Sequence, residues 1–120
     1  MKSDLVNKYI QKGHYCLSSG LHSDTYCNLK KLFTDPRETE ELVWSLKCRL
    51  VNDNIFAKRV PSYVVGPAIG GIVLAYELAK KLGAKALFTE RKDGQMVLSR
   101  GFSIEKDAVV VVVDDVLTTG

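Results

Sequence analysis

AVVVVVDDVLTTG, residues Ala108 to Gly120, is the stretch on which the fold turns. The run from Ala108 to Val113 shows no alternation of polar and apolar positions, so it predicts a central parallel strand covered on both faces. Such strands belong to sheets flanked by helices, where ligands sit beyond the carboxyl ends of the strands. Asp114 and Asp115 stand at that end, followed by Val116, Leu117, Thr118, Thr119 and Gly120. Paired carboxylates there can accept hydrogen bonds from neighbouring hydroxyls, as on a ribose. Threonine hydroxyls and glycine-permitted backbone N–H groups can cradle an anion. The same residues also fit a plainer arrangement, with the aspartates capping a helix and the threonines in an ordinary turn.

The chain upstream supplies partners for that strand. Tyr63-Val64-Val65 reads as a short buried strand ending at Gly66-Pro67, and Gly71 to Leu82 as a helix stopped by Gly83. Ala86 to Thr89 reads as another strand, and Lys92-Asp93-Gly94-Gln95 has the chemistry of a tight hairpin turn. Asp35 and Pro36 predict the start of a helix, with Glu38 where a capping box places a carboxylate and Leu42, Val43, Leu46 and Leu50 as its apolar stripe. An opening helix is expected over about Ser3 to Lys12, with Leu5, Val6, Tyr9 and Ile10 on one face. Between these helices, GHYCLSSGLHSDTYCNLKKLF reads as short strands and turns. The order of elements predicts an α/β domain with a mostly parallel sheet.

Size and composition narrow the classes. A chain of 120 residues, 46% hydrophobic, makes one globular domain. Its net charge of +3 comes without a dense Lys/Arg run, so nucleic acid is not an expected partner. Cys16, Cys27 and Cys48 lie far apart without metal-ligand spacing, which fits reduced thiols in a cytosolic protein. The N-terminal MKSDLVNKYIQKG lacks the apolar core of a signal peptide. YVVGPAIGGIVLAYELA, residues 63–79, is interrupted by Pro67, glycines and Glu77, so no membrane span is expected. The expectation is a soluble, cytoplasmic protein.

The hydrophobic run, Asp-Asp, two aliphatics and Thr-Thr-Gly of Val110–Gly120 resembles the signature of the type I phosphoribosyltransferases, which bind 5-phosphoribosyl 1-diphosphate (PRPP). That signature continues for a further two residues, absent here. A second match is Gly66-Pro67-Ala68-Ile69-Gly70-Gly71, directly after a strand and opening a helix. Alone, this turn could equally be close strand–helix packing. The resemblance makes it the diphosphate loop. Leu17-Ser18-Ser19-Gly20-Leu21-His22-Ser23-Asp24-Thr25-Tyr26 looks like the N-terminal hood of orotate phosphoribosyltransferases. Thr89-Glu90-Arg91-Lys92-Asp93-Gly94, with Arg100-Gly101-Phe102, looks like their mobile catalytic loop.

The resemblance runs almost end to end. It implies one phosphoribosyltransferase domain over residues 1–120, with residues 1–34 as helix plus base-binding hood and 35–120 as a partial core. The implied fold is a mostly parallel sheet flanked by helices. The implied reaction joins orotate N1 to the anomeric carbon of PRPP and expels diphosphate, giving orotidine 5-phosphate. In that scheme Asp114 and Asp115 hold the ribose hydroxyls, and Val116 to Gly120, with Thr118 and Thr119, bind the 5-phosphate. Gly66, Pro67, Ala68, Gly70 and Gly71 meet the diphosphate. Ser19, Gly20, His22, Ser23, Tyr26 and Thr118 meet orotate. Arg91 and Lys92 are the catalytic cations, stabilising the leaving group as positive charge grows on the sugar. Mg2+ is implied, held by PRPP and water and not by a direct protein cage. Because the family's mobile loop reaches a neighbouring subunit's site, a homodimer is implied too.

Some features depart from the family pattern. Many relatives carry lysine where Ser18 and Gly70 stand here, and the mobile loop is short, so leaving-group stabilisation rests on Arg91 and Lys92. A purine phosphoribosyltransferase and a non-catalytic PRPP-binding regulator are the alternatives. The hood and loop favour orotate over a purine, and the retained Arg91-Lys92 pair favours an enzyme over a regulator. The chain also ends shortly after the valine strand, with no covering helix or further strand. The expectation is therefore an incomplete fold, inactive alone and prone to aggregate through an exposed valine edge.

Overall fold

A computed structural model of the chain describes residues 3–56 and 58–117. In chain order the elements are α1 (Ser3–Asn7), β1 (Ile10–Cys16), β2 (His22–Cys27), α2 (Leu29–Leu32), α3 (Pro36–Asn52), β3 (Tyr63–Pro67), α4 (Gly70–Leu82), β4 (Lys85–Lys92), β5 (Gln95–Leu98) and β6 (Val110–Val112). The principal sheet has the order β5-β4-β3-β6. β3 pairs in parallel with both β4 and β6, and β5 closes the sheet as an antiparallel hairpin partner of β4. Val64 stands opposite both Ala86 and Val111, so these side chains share one face. On that face they join Val43 of α3 and Leu74, Ala75, Leu78 and Ala79 of α4 in the hydrophobic core. The arrangement is the α/β, mostly parallel sheet that strand and helix order predict.

Local signals explain the helices well. Asp35 caps α3, its carboxylate accepting from the backbone N–H groups of Arg37 and Glu38, and Pro36 occupies the first turn. Glu38 does not close a capping box. Its carboxylate is taken instead by Lys8, at 3.1 Å, and by the Tyr9 hydroxyl. α4 ends at Gly83, whose φ of 70° places it in the left-handed region. The α3–α4 seam carries Trp44, flanked by Lys47 and Lys81 with ammonium groups 5.4 and 5.8 Å from the ring centroid. Lys81 also pairs with Glu40, tying the helices together.

Two expectations need correction. The opening helix stops at Asn7, and Ile10 to Lys12 enter β1. The backbone of Tyr9 accepts from Asn28 N–H and Ile10 pairs with Cys27, so a strand partner distant in sequence outcompetes another helical turn. β6, for its part, is not a central strand covered on both faces. Among the described residues it is the outermost strand of its sheet, and Val112 is 73% exposed while Val111 faces the core. A valine run specifies strand, but it does not specify how many neighbours or layers surround that strand.

Each hairpin is locally determined. β1 and β2 form a separate two-stranded sheet, irregular between Lys12 and Tyr15. The β4–β5 turn places Asp93 at φ 50° and Gly94 at φ 80°, the two left-handed positions that a type I′ turn requires. Beyond β5, Arg100 returns to grip Glu90 with Nε and Nη2 at 2.7 and 2.8 Å, while the Ser99 hydroxyl donates to the same carboxylate at 3.0 Å. These hydrogen bonds, Arg100 first and Ser99 second, lower the Glu90 pKa from 4.5 to about 2.

At the other end of β3 the constraint is steric. A Cβ added at Gly66 would fall onto the backbone carbonyl of Gly71. Gly66→Ala is therefore expected to destabilise the chain by about 1–3 kcal/mol, the usual cost of overpacking. A urea midpoint within error of wild type would refute that close approach. The Glu90 contribution is fully present above pH 4.5 and is lost as pH falls from 4.5 toward about 2, because the folded pKa is depressed. Glu90→Gln is expected to flatten that part of the stability–pH curve. Parallel curves for the two proteins would show that the Arg100 pairing contributes nothing.

Candidate functional site

The site is built where β3 and β6 end side by side. Because these strands are parallel, the turn after Pro67 and the aspartates after Val112 arrive at the same edge of the sheet. Pairing continues past β6, with Val113 N–H donating to Val65 O at 2.9 Å. Gly70 then lies directly against the carboxylate of Asp115, where any added Cβ would overlap it. At Gly71 a Cβ would sit 2.6 Å from Pro67 Cδ and 3.0 Å from Val113 O. Ala68 donates its N–H to Thr89 O at 2.7 Å, which ties the turn to β4 one residue before Glu90, and the Ala68–Ile69 peptide is cis. The structure thus brings Gly66, Pro67, Ala68, Gly70 and Gly71 together with Asp114 and Asp115.

The carboxylates are oriented from within the loop. Asp114 Oδ1 accepts from Asp115 N–H at 2.8 Å, and Asp115 Oδ1 accepts from Val116 N–H at 3.0 Å. Lys30 of α2 places its ammonium 3.4 Å from Asp115 Oδ2. Burial, with the neighbouring Asp115 adding to it, raises the Asp114 pKa above the ordinary carboxylate value. Burial likewise raises the Cys27 thiol, and the charge of Asp115 adds to that shift. Val116 and Leu117 are exposed. Thr118, Thr119 and Gly120 lie outside the described residues.

The hood residues form their own unit. Gly20, at φ 83°, turns the β1–β2 connection, Gly20 N–H donating to Leu17 O and the Ser19 hydroxyl accepting from Leu21 N–H at 3.4 Å. His22 shares a 2.7 Å hydrogen bond with His14, Ser23 bonds the Thr25 backbone, and Tyr26 packs against Tyr15. This unit is joined to the sheet edge through the end of β2 and through Lys30. Arg91 and Lys92 lie at the tip of the β4–β5 hairpin, exposed, with Arg91 donating to Gly94 O at 2.9 Å. They are not gathered against Asp114 and Asp115. The sequence did not single out Lys30, since its place beside Asp115 is a contact between distant segments with no motif to announce it.

No group of three or more His, Cys, Asp or Glu among the described residues could hold a metal ion. The hard oxygen donors of Asp114 and Asp115 suit Mg2+ held chiefly by a ligand's phosphates and by water. Among the described residues no helix is long and apolar enough to cross a membrane.

Comparison with known proteins agrees with this geometry. The model of the phosphoribosyl transferase domain family matches residues 46–120. The chain is 49% identical over 111 residues to the orotate phosphoribosyltransferase of Thermoanaerobacter sp. (strain X514), covering 92% of this chain and 55% of that protein. It is 48% identical over 116 residues to that of Carboxydothermus hydrogenoformans, covering 97% and 59%. The crystal structure of orotate phosphoribosyltransferase from Aeropyrum pernix superposes with a TM-score of 0.64 at 27% identity, over 99% of this chain and 66% of that one. Adenine phosphoribosyltransferase from Leishmania donovani shares the fold, with a TM-score of 0.71 at 19% identity over 98% and 56% of the chains. The chain spans somewhat more than half the length of the curated relatives it matches. With the family match covering most of the sequence and the strand-end site in place, the chain belongs to the phosphoribosyltransferase domain family.

Proposed function

We propose that the protein of which this chain forms part is an orotate phosphoribosyltransferase, transferring 5-phosphoribose from PRPP to orotate N1 in pyrimidine biosynthesis. The observation that carries the reading is the seating of Asp115 against the Gly66–Gly71 turn at one sheet edge. A ribose bearing phosphates at both ends needs carboxylates for its hydroxyls and N–H-lined turns for its anions in that juxtaposition. The named relatives at 48–49% identity support orotate as the base.

In this reading Asp114 and Asp115 accept from the ribose hydroxyls and face the cationic sugar as its bond to diphosphate stretches. Gly66, Pro67, Ala68, Gly70 and Gly71 line the diphosphate, and Thr118, Thr119 and Gly120 continue into the 5-phosphate loop. Ser19, Gly20, His22, Ser23 and Tyr26 bound the base. Arg91 and Lys92, on a hairpin tip pinned at its base by Glu90–Arg100, are free to close on the leaving group and exclude water. Mg2+, when bound with PRPP, neutralises diphosphate charge. A homodimer fits the exposed stripe formed by Ile69, just before α4, with Val73 and Tyr76 on the helix. A cytoplasmic location fits a pyrimidine enzyme with free cysteines.

The test follows the loss of orotate ultraviolet absorbance with PRPP and Mg2+, for the chain alone and for the chain joined to the C-terminal part of a relative. Turnover is expected of the joined form and not of the chain alone, and in the joined form Arg91→Ala with Lys92→Ala is expected to cut it by about a hundredfold or more, since one well-placed donor is worth roughly 3 kcal/mol. A folded joined form that leaves orotate untouched would rule the reading out.

A further inference from the structure

We infer that Lys30 is a positioning residue of the PRPP site, fixing the Asp115 carboxylate for the ribose hydroxyls; this rests on Asp115 being the ribose residue proposed above. Lys30 lies in α2, whose Leu32 is fully buried and whose following residue, Phe33, packs on the core. Its backbone is therefore anchored, and its ammonium reaches 3.4 Å from Asp115 Oδ2.

Asp115 is held from several sides. Val116 N–H engages Oδ1 at 3.0 Å, Gly70 packs on the carboxylate without a Cβ, and Lys30 takes Oδ2. Its side chain is only 10% exposed. Around it stand groups that gain nothing from its charge: Asp114, whose carboxyl is already pushed toward the neutral form, and the Cys27 thiol. A carboxylate this enclosed would, without a cation beside it, turn outward toward water. That rotation removes an acceptor from the ribose. The Lys30 side chain is itself 61% exposed, so it can hold Oδ2 without sealing the site. A carboxylate oxygen retains capacity for a second donor. The arrangement also explains a lysine that no motif predicts, placed where the hood segment joins the core.

The experiment is calorimetric titration of the full chain with PRPP and Mg2+, using wild type, Lys30→Met and Lys30→Arg, with thermal melts of each. Lys30→Met keeps the apolar stem and removes the charge. It is expected to weaken PRPP binding by about fivefold or more, in the range of a partly desolvated ion pair. Lys30→Arg is expected to restore affinity to within about twofold, with melting curves alike across the series. Equal affinity of wild type and Lys30→Met would overturn the role of Lys30 while leaving the PRPP site standing. Equal weakness of Met and Arg variants would overturn it too, by showing that charge is not what matters. A wild-type chain that melts cooperatively yet does not bind PRPP would overturn the site assignment itself, and Lys30 with it.

Discussion

The close approach of β3 to the start of α4 depends on Gly66 and Gly71 carrying no side chain. Gly66 passes against the Gly71 carbonyl, Gly71 against Pro67 and Val113, and Gly70 against Asp115. The approach is a consequence of parallel pairing, since β3 and β6 must deliver their carboxyl ends together. With a Cβ at Gly66 or Gly71 the helix would ride outward from the sheet. Core packing of Leu74, Ala75 and Leu78 against Val64 and the geometry around the aspartates therefore share one steric requirement. Stability and site are not separable at this edge.

Charge is distributed on the same plan. The carboxylates at the strand ends are shielded, hydrogen-bonded by their own backbone and balanced by a cation from another segment. The cations on the hairpin are treated in the opposite way. Glu90 is hydrogen-bonded by Arg100 and Ser99, while Arg91 and Lys92 stand exposed at the tip. Under the proposed reading, acceptors meant for the ribose are fixed in advance, whereas cations meant for the leaving group stand exposed.

Much of this was legible in the sequence because the determinants are local. Asp35-Pro36, Gly83 and Asp93-Gly94 each act over a few residues, and each places its cap or turn as its chemistry dictates. The glycine turn and the Asp-Asp pair were legible for the same reason. What escaped were contacts across the chain. Tyr9 and Ile10 fit a helical face but are claimed by Asn28 and Cys27. Glu38 sits at a capping-box position but is claimed by Lys8 and Tyr9. The valines predicted a strand without revealing that it would stand outermost, and Lys30 looked like any surface lysine until α2 was folded onto the core.

Trp44, the chain's single tryptophan, lies half-exposed on the α3–α4 seam between two ammonium groups. Its indole is thus a spectroscopic probe of helix docking and not of the ligand edge or the hood. Positive charge beside an indole alters its emission according to geometry, so sliding or separation of the two helices has an optical signature of its own. Excited at wavelengths where tyrosine does not absorb, indole emission can consequently follow assembly of the core while the hairpins and the strand-end loops stay silent, which separates folding from ligand binding without any added label.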